Sequence, residues 1–153
     1  MSSDYFALKQ CDPKTVCKIP HKDVIIPCRL SHVIDGDTIC VVISINSHLL
    51  KISIRVLGID APESTKRSTK NELEIQAGLH VKAYVKRLVP DMFSVRIKDN
   101  DKYGGRFLGD VILPDGRCLG SHLTEIGYVK PYFGKKKEDW TDEELEKIIG
   151  STY

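Results

Sequence analysis

Thr38-Ile39-Cys40-Val41-Val42-Ile43-Ser44-Ile45, then Asn46-Ser47, then residues 48–57, His-Leu-Leu-Lys-Ile-Ser-Ile-Arg-Val-Leu, form the stretch that decides the fold. Ile39, Val41, Ile43 and Ile45 recur at every second position, the side-chain period of a strand with one buried face. Asn46-Ser47 supplies turn residues. Residues 49–57 then alternate again, with Ile52, Ile54 and Val56 on one side and Lys51, Ser53 and Arg55 on the other. The pattern predicts two adjacent strands, and it places Arg55 away from the main apolar stripe.

Working outward, residues 28–34 predict a strand before these two, and Asp35-Gly36 predicts the tight turn between them. On the other side, residues 64–72 are polar and predict a mobile loop. Asn71 with Glu74 resembles a capping box. A helix is expected to run from there to about residue 89, with Ala77, Val81, Tyr84, Val85 and Leu88 on one face and Pro90 closing it. Residues 93–98 and 106–113 alternate like strands, separated by a turn at 99–105. Residues 119–126 predict a short helix ended by Gly127. Thr141 and Glu144 form a capping box that opens a last helix running through Ile149. The sum is an α+β, mainly β chain. Five strands with a helix between the third and fourth is the order of an OB-type five-stranded barrel, here with about three helices. Residues 1–24 are expected to be an irregular N-terminal arm, 25–134 the domain, and 135–153 an acidic C-terminal helix packed on or beside it.

The chain has 153 residues, enough for one domain with a real core, and is 41% hydrophobic and 29% charged. A formal net charge of +2 does not suit a protein that coats nucleic acid through bulk charge, so nucleic-acid contact should come from a local cleft. Residues 135–153 carry four lysines against six carboxylates, a net of −2, which leaves +4 for the rest. No run approaches the ~18 apolar residues of a membrane span. The N-terminus lacks the basic region and apolar run of a secretory leader, which points to an intracellular (cytoplasmic or nuclear) or virus-packaged protein. Five cysteines fit a reducing compartment better than a disulfide framework. Cys40 falls in an apolar strand pattern, as a small core residue. Cys11, Cys17, His21 and Cys28 match none of the usual paired-cysteine zinc spacings. The other four histidines, His32, His48, His80 and His122, match no ligand spacing and are expected at structural or surface positions.

Three motifs carry chemistry. Asp37 lies in Asp35-Gly36-Asp37-Thr38. Arg55, Asp60 and Glu63 lie in 55–63, Arg-Val-Leu-Gly-Ile-Asp-Ala-Pro-Glu. Arg106 closes 102–106, Lys-Tyr-Gly-Gly-Arg. Three carboxylates and two guanidiniums suit a metal-assisted attack on a phosphodiester. Carboxylates hold a hard divalent cation, a further one takes a proton from water, and two arginines grip the anionic phosphorus centre. A barrel can bring Asp37 and Asp60 together from two strand ends. Glu63 follows Pro62, which restricts the backbone around it. The planar fork of Arg55 can bind a phosphate bidentately. Tyr128 and Tyr132, near Lys130, suit either stacking of a base or closure of the barrel end.

These motifs, together with Leu-Pro-Asp-Gly-Arg at 113–117 and all in one order over residues 25–134, resemble the staphylococcal-nuclease-like (thermonuclease) domain family. The resemblance implies an OB-fold barrel with further helices, and a Ca²⁺-dependent nuclease acting on DNA, RNA or both. It implies Ca²⁺ on Asp37, Asp60 and the carbonyl of Ala61, with Glu63 as general base and Arg55 and Arg106 as catalytic cations. Lys102 and Tyr103 would contact a terminal phosphate or sugar edge. Cleavage would fall at the bond to the 5′ oxygen and leave 3′-phosphate ends. Three departures stand out: a second glycine before Arg106, Ala61 where the best-known member of the family has threonine, and a lysine-rich 64–70 loop of different sequence, so substrate preference does not carry over. Two rival readings remain. One is a non-catalytic nucleic-acid- or protein-binding module on the same barrel, although all five charged residues are kept. The other is an inhibited or packaged nuclease whose 1–24 arm or 135–153 helix covers the cleft. A monomer is expected, with the terminal segments left as surfaces for a protein partner, and no membrane association.

Overall fold

The computed structural model describes residues 2–16, 19, 21–101 and 105–153. Seven strands and four helices are seen among them: α1 (Ser3–Gln10), β1 (Ile25–Asp35), β2 (Thr38–Ile45), β3 (His48–Val56), β4 (Ile59–Asp60), α2 (Glu72–Leu88), β5 (Met92–Asn100), β6 (Phe107–Ile112), α3 (Leu119–Glu125), β7 (Lys130–Pro131) and α4 (Asp142–Ile149). Five of the strands close a barrel in the order β1-β2-β3-β6-β5, with β3 and β6 parallel and the other pairs antiparallel. This is the OB-type architecture expected from the alternating pattern. Ile39, Val41 and Ile43 of β2, Ile54 of β3, Val95 and Ile97 of β5 and Val111 of β6 all point inward and are buried. No helix among the described residues is long and apolar enough to cross a membrane.

α2 packs its apolar face on the barrel through Ala77, Val81 and Val85, while Tyr84 and Leu88 are only partly covered. Asn71 caps it by accepting from Leu73 N and Glu74 N at 3.0 and 3.3 Å. The second half of the expected capping box differs. The Glu74 carboxylate turns outward to accept from Thr69 Oγ1 (2.9 Å) and from the backbone N–H of Glu63 (3.3 Å). At α4 the box is complete, with Thr141 and Glu144 exchanging both bonds. α4 buries Leu145 and Ile148 and packs on α2.

The expected irregular arm contains a helix. α1 buries none of its residues and has no apolar face, so no periodic signal marked it. β4 and β7 were also unanticipated. Strands of two residues are too short to show alternation, and they exist because they pair with each other, Ile59 with Pro131 and Asp60 with Lys130. Tyr128 is buried against α2, its hydroxyl 3.1 Å from His80 Nε2 and its ring edge-on to Tyr84. Cys28 and Cys40 are buried, and burial pushes the Cys28 thiol up to about 12; Cys11 and Cys118 are exposed.

Candidate active site

The site lies where the β1–β2 turn, the end of β3 and the segment after β4 meet. Thr38 pairs with Arg55 across β2 and β3, which sets Arg55 beside the turn that carries Asp37. Val56 N donates to Asp37 O at 2.8 Å and ties that turn to β3. Gly36 is needed by close approach. A Cβ there would stand 2.6 Å from Val81 Cγ1 and 3.0 Å from the Ala61 Cβ, so the turn sits directly against α2 and the segment that follows β4.

Asp37, Arg55 and Asp60 form a buried triad. The Arg55 guanidinium bridges the two acids, with Nη1 3.3 Å from Asp37 Oδ2 and Nη2 3.3 Å from Asp60 Oδ1. Nη2 also donates to Ile59 O at 3.2 Å. Side-chain exposure is 10% for Arg55 and 8% for each aspartate, so these charges compensate one another away from water. Burial alone would lower the Arg55 pKa; the charges of Asp37 and Asp60 outweigh it and raise it. Asp37 is oriented further by Ala61 N (2.9 Å to Oδ2) and Thr38 Oγ1 (3.0 Å to Oδ1). The backbone at residue 61 therefore stands directly against the Asp37 carboxylate.

Glu63 is half-buried and fixed through its main chain. Besides the Glu74 contact, α2 passes so close that a Cβ on Gly78 would lie 2.4 Å from Glu63 O and 2.6 Å from Pro62 O. Desolvation raises the Glu63 pKa, partly offset by Lys137. Arg106 is half-buried and its Nε pairs with Asp101. A polar cavity of about 240 Å³ is lined by Asp37, Arg55, Ala61, Glu63, Arg106 and Lys137, among others. On the other side of Arg55 lies a second cavity of about 440 Å³. Arg55 and Arg106 line it too, together with Leu57, Leu108, Tyr132 and Phe133. The Tyr132 ring centroid is 5.5 Å from Arg55 Cζ.

The fold thus brings together six of the residues singled out from the sequence: Asp37, Arg55, Asp60, Ala61, Glu63 and Arg106. Tyr132 lies on the adjoining wall. Lys102 and Tyr103 lie outside the described residues. Arg55, which faces away from the hydrophobic stripe in the strand pattern, is nonetheless buried, because two aspartates cover it.

Three residues of the site were not anticipated. Asp35 lines the polar cavity and accepts a hydrogen bond from Ser64 Oγ. Burial raises its pKa, opposed by the Ser64 bond and reinforced by the Asp37 charge. Its signal was present, since it belongs to the Asp-Gly-Asp motif, but a turn role accounts for it equally well. Ser64 carried no signal. Neither did Lys137, the last of three consecutive lysines, whose Nζ stands 2.8 Å from Asp60 Oδ1 and 3.5 Å from Glu63 Oε1.

Among the described residues no three acidic, histidine or cysteine side chains are set to converge on a metal ion. A cation at Asp37 and Asp60 would draw on those two carboxylates plus main-chain, water or phosphate oxygens. Such a donor set, all oxygen and partly non-protein, suits a hard divalent ion with flexible coordination rather than zinc or copper.

A family profile described as "Staphylococcal nuclease homologue" matches residues 53–149, well over half of the chain. One curated relative, "Endonuclease YhcR" of Bacillus subtilis (strain 168), is 32% identical over 111 residues, covering 68% of this chain. The matched region is 9% of that relative, so the chain spans about a tenth of its length.

Proposed function

Because the chain belongs to the staphylococcal nuclease homologue family, we propose that it is a nuclease, a hydrolase of phosphodiester bonds in DNA, RNA or both, with Ca²⁺ as its cofactor. The observation that carries this reading is the gathering of Asp37, Arg55, Glu63 and Arg106 around one polar cavity, with Asp60 held to Arg55 behind it. The name of the bacterial relative, an endonuclease, points the same way.

Asp37, Asp60 and the Ala61 carbonyl would hold the ion. Bound there, Ca²⁺ would supply positive charge against a non-bridging phosphate oxygen. Glu63, on a loop clamped by Glu74 and α2, accepts a proton from the water that attacks phosphorus. Burial raises its pKa, partly offset by Lys137, which makes it a better proton acceptor than an ordinary carboxylate. Arg55 and Arg106 reach the same cavity from two sides and stabilise the extra negative charge of the five-coordinate phosphorus. As the new bond to water oxygen forms, the bond from phosphorus to the 5′ oxygen breaks, and the product keeps a 3′-phosphate. Tyr132, with Leu57 and Leu108, offers the sugar and base of the substrate an apolar wall beside that centre.

The test is cleavage of single-stranded DNA and RNA by the full chain, with Ca²⁺ or with chelator, next to Glu63→Gln. Ca²⁺-dependent cleavage that falls at least roughly 100-fold in Glu63→Gln, as expected for loss of a general base, supports the reading, and end-group analysis then checks the 3′-phosphate. A folded wild-type protein that binds but never cleaves would instead make the chain a nucleic-acid-binding module.

A further inference from the structure

Lys137 belongs to none of the motifs that carry the site, yet the fold delivers its ammonium onto two of the site's carboxylates. The delivery is built in. Lys130 of β7 pairs with Asp60 of β4, and Tyr132 N donates to Gly58 O at 2.9 Å. A few residues on, Lys130 Nζ donates to Asp139 O (2.8 Å), pairs with Glu144 (2.8 Å) and lies 4.8 Å from the centre of the Trp140 ring. Residues 131–139 therefore form a strap tied at both ends to the two-residue ladder that carries Asp60. The strap turns at Gly134, with φ +84°, and presents Lys137 back to the Asp60 side chain.

The electrostatics call for a cation here. Asp35, Asp37, Asp60 and Glu63 bring four carboxylates to one end of the barrel. Arg55 neutralises part of that charge, and Arg106 is drawn to Asp101. Lys137 approaches the same Asp60 Oδ1 that Arg55 holds, on the side of Glu63. A lysine is the kind of cation that can leave. Its ammonium is a compact point charge on a flexible stem, and this side chain is 44% exposed.

We propose that Lys137 is a resident counter-cation of the site, which neutralises Asp60 and Glu63 in the metal-free protein and must be displaced when a divalent cation binds. The proposal rests on the Ca²⁺ reading above and adds to it an internal competitor. The strap thereby sets the cation concentration at which the site fills.

Calorimetric titration of the metal-free full chain with Ca²⁺ tests this, alongside Lys137→Ala, Lys137→Met and Asp37→Asn. Acetylation of the lysines is followed in parallel by mass spectrometry, with chelator and with saturating Ca²⁺. Both Lys137 variants should bind Ca²⁺ roughly three- to tenfold more tightly, the size expected for removing one partly exposed charge near the ion. Lys137 should acetylate more slowly than the exposed Lys135 and Lys136 in chelator, and approach their rate in Ca²⁺. Equal or weaker Ca²⁺ binding in both Lys137 variants would overturn the proposal. So would acetylation of Lys137 at its neighbours' rate without metal. Failure of the underlying reading looks different. Wild type and Asp37→Asn would then give the same Ca²⁺ titration, while Lys137 stayed protected with and without the ion; that result removes the metal site and the competition with it.

Discussion

Asp60 is held from two sides by two cations that differ in kind. Arg55 comes from the end of β3, buried, with its fork spanning two aspartates. Lys137 comes from the 131–139 strap, nearly half exposed, with a single ammonium on Asp60 and a longer contact to Glu63. The first is part of the framework. Removing it takes the buried cation away from two buried carboxylates, so its loss is a folding event. The second is part of the site's occupancy, because water or another cation can replace it. Equal formal charge on one carboxylate therefore carries two different jobs, decided by burial and by what anchors each chain segment.

That contrast can be broken most sharply at Arg55. Arg55→Ala should cost about 3–5 kcal/mol of stability, since it leaves Asp37 buried with no cation beside it and Asp60 with only the half-exposed Lys137. Lys137→Ala should change stability by less than about 1 kcal/mol, because the lysine is itself nearly half exposed and Arg55 still holds Asp60. Urea denaturation in chelator measures both, and similar losses for the two would erase the distinction. Next in size is Gly78→Ala, which strikes the fixed side of the site without touching a charge. Its Cβ would meet the carbonyl oxygens of Glu63 and Pro62, so a loss of about 1–3 kcal/mol is expected. Cleavage should fall with it, because Glu63 shifts. Full activity in a stable Gly78→Ala protein would show that the loop position is not critical.

The smallest effect concerns the strap's anchor. The Glu144 carboxyl lies below its ordinary value, chiefly through its hydrogen bond from Lys130 and also through the Thr141 N–H. A depressed folded-state pKa means that the contribution of Glu144 is present above the unfolded value of about 4.3 and fades as pH falls through the lower folded value. Glu144→Gln should therefore be slightly less stable than wild type near neutrality, with the melting-temperature gap closing in acid. A gap that stayed constant with pH would mean that the anchor is not electrostatic.

Legibility differed across the molecule for physical reasons. The barrel strands showed because each buries one face, which imposes a period of two on the sequence. The carboxylates and arginines of the site showed because they fall in short motifs whose residue types and order can be read directly from the chain. β4, β7 and the strap did not show, since two-residue strands and a run of lysines have no period. Glu74 looked like a cap for its own helix and instead grips the Glu63 backbone, a partner 11 positions away that no local rule identifies.

By itself, then, the sequence determined the barrel, the helix across it, the family and which carboxylates and arginines were candidates to meet at one end of the barrel. Alternation, capping and residue type are local or pairwise signals written directly in the chain. Only the tertiary structure decided that Arg55 is buried between two aspartates, that Asp35 joins them, and that Lys137 stands on Asp60. Those facts depend on segments up to 77 positions apart in number, Asp60 and Lys137, being closed onto one ladder. Which side chain then fills the space left between them is a matter of three-dimensional charge balance.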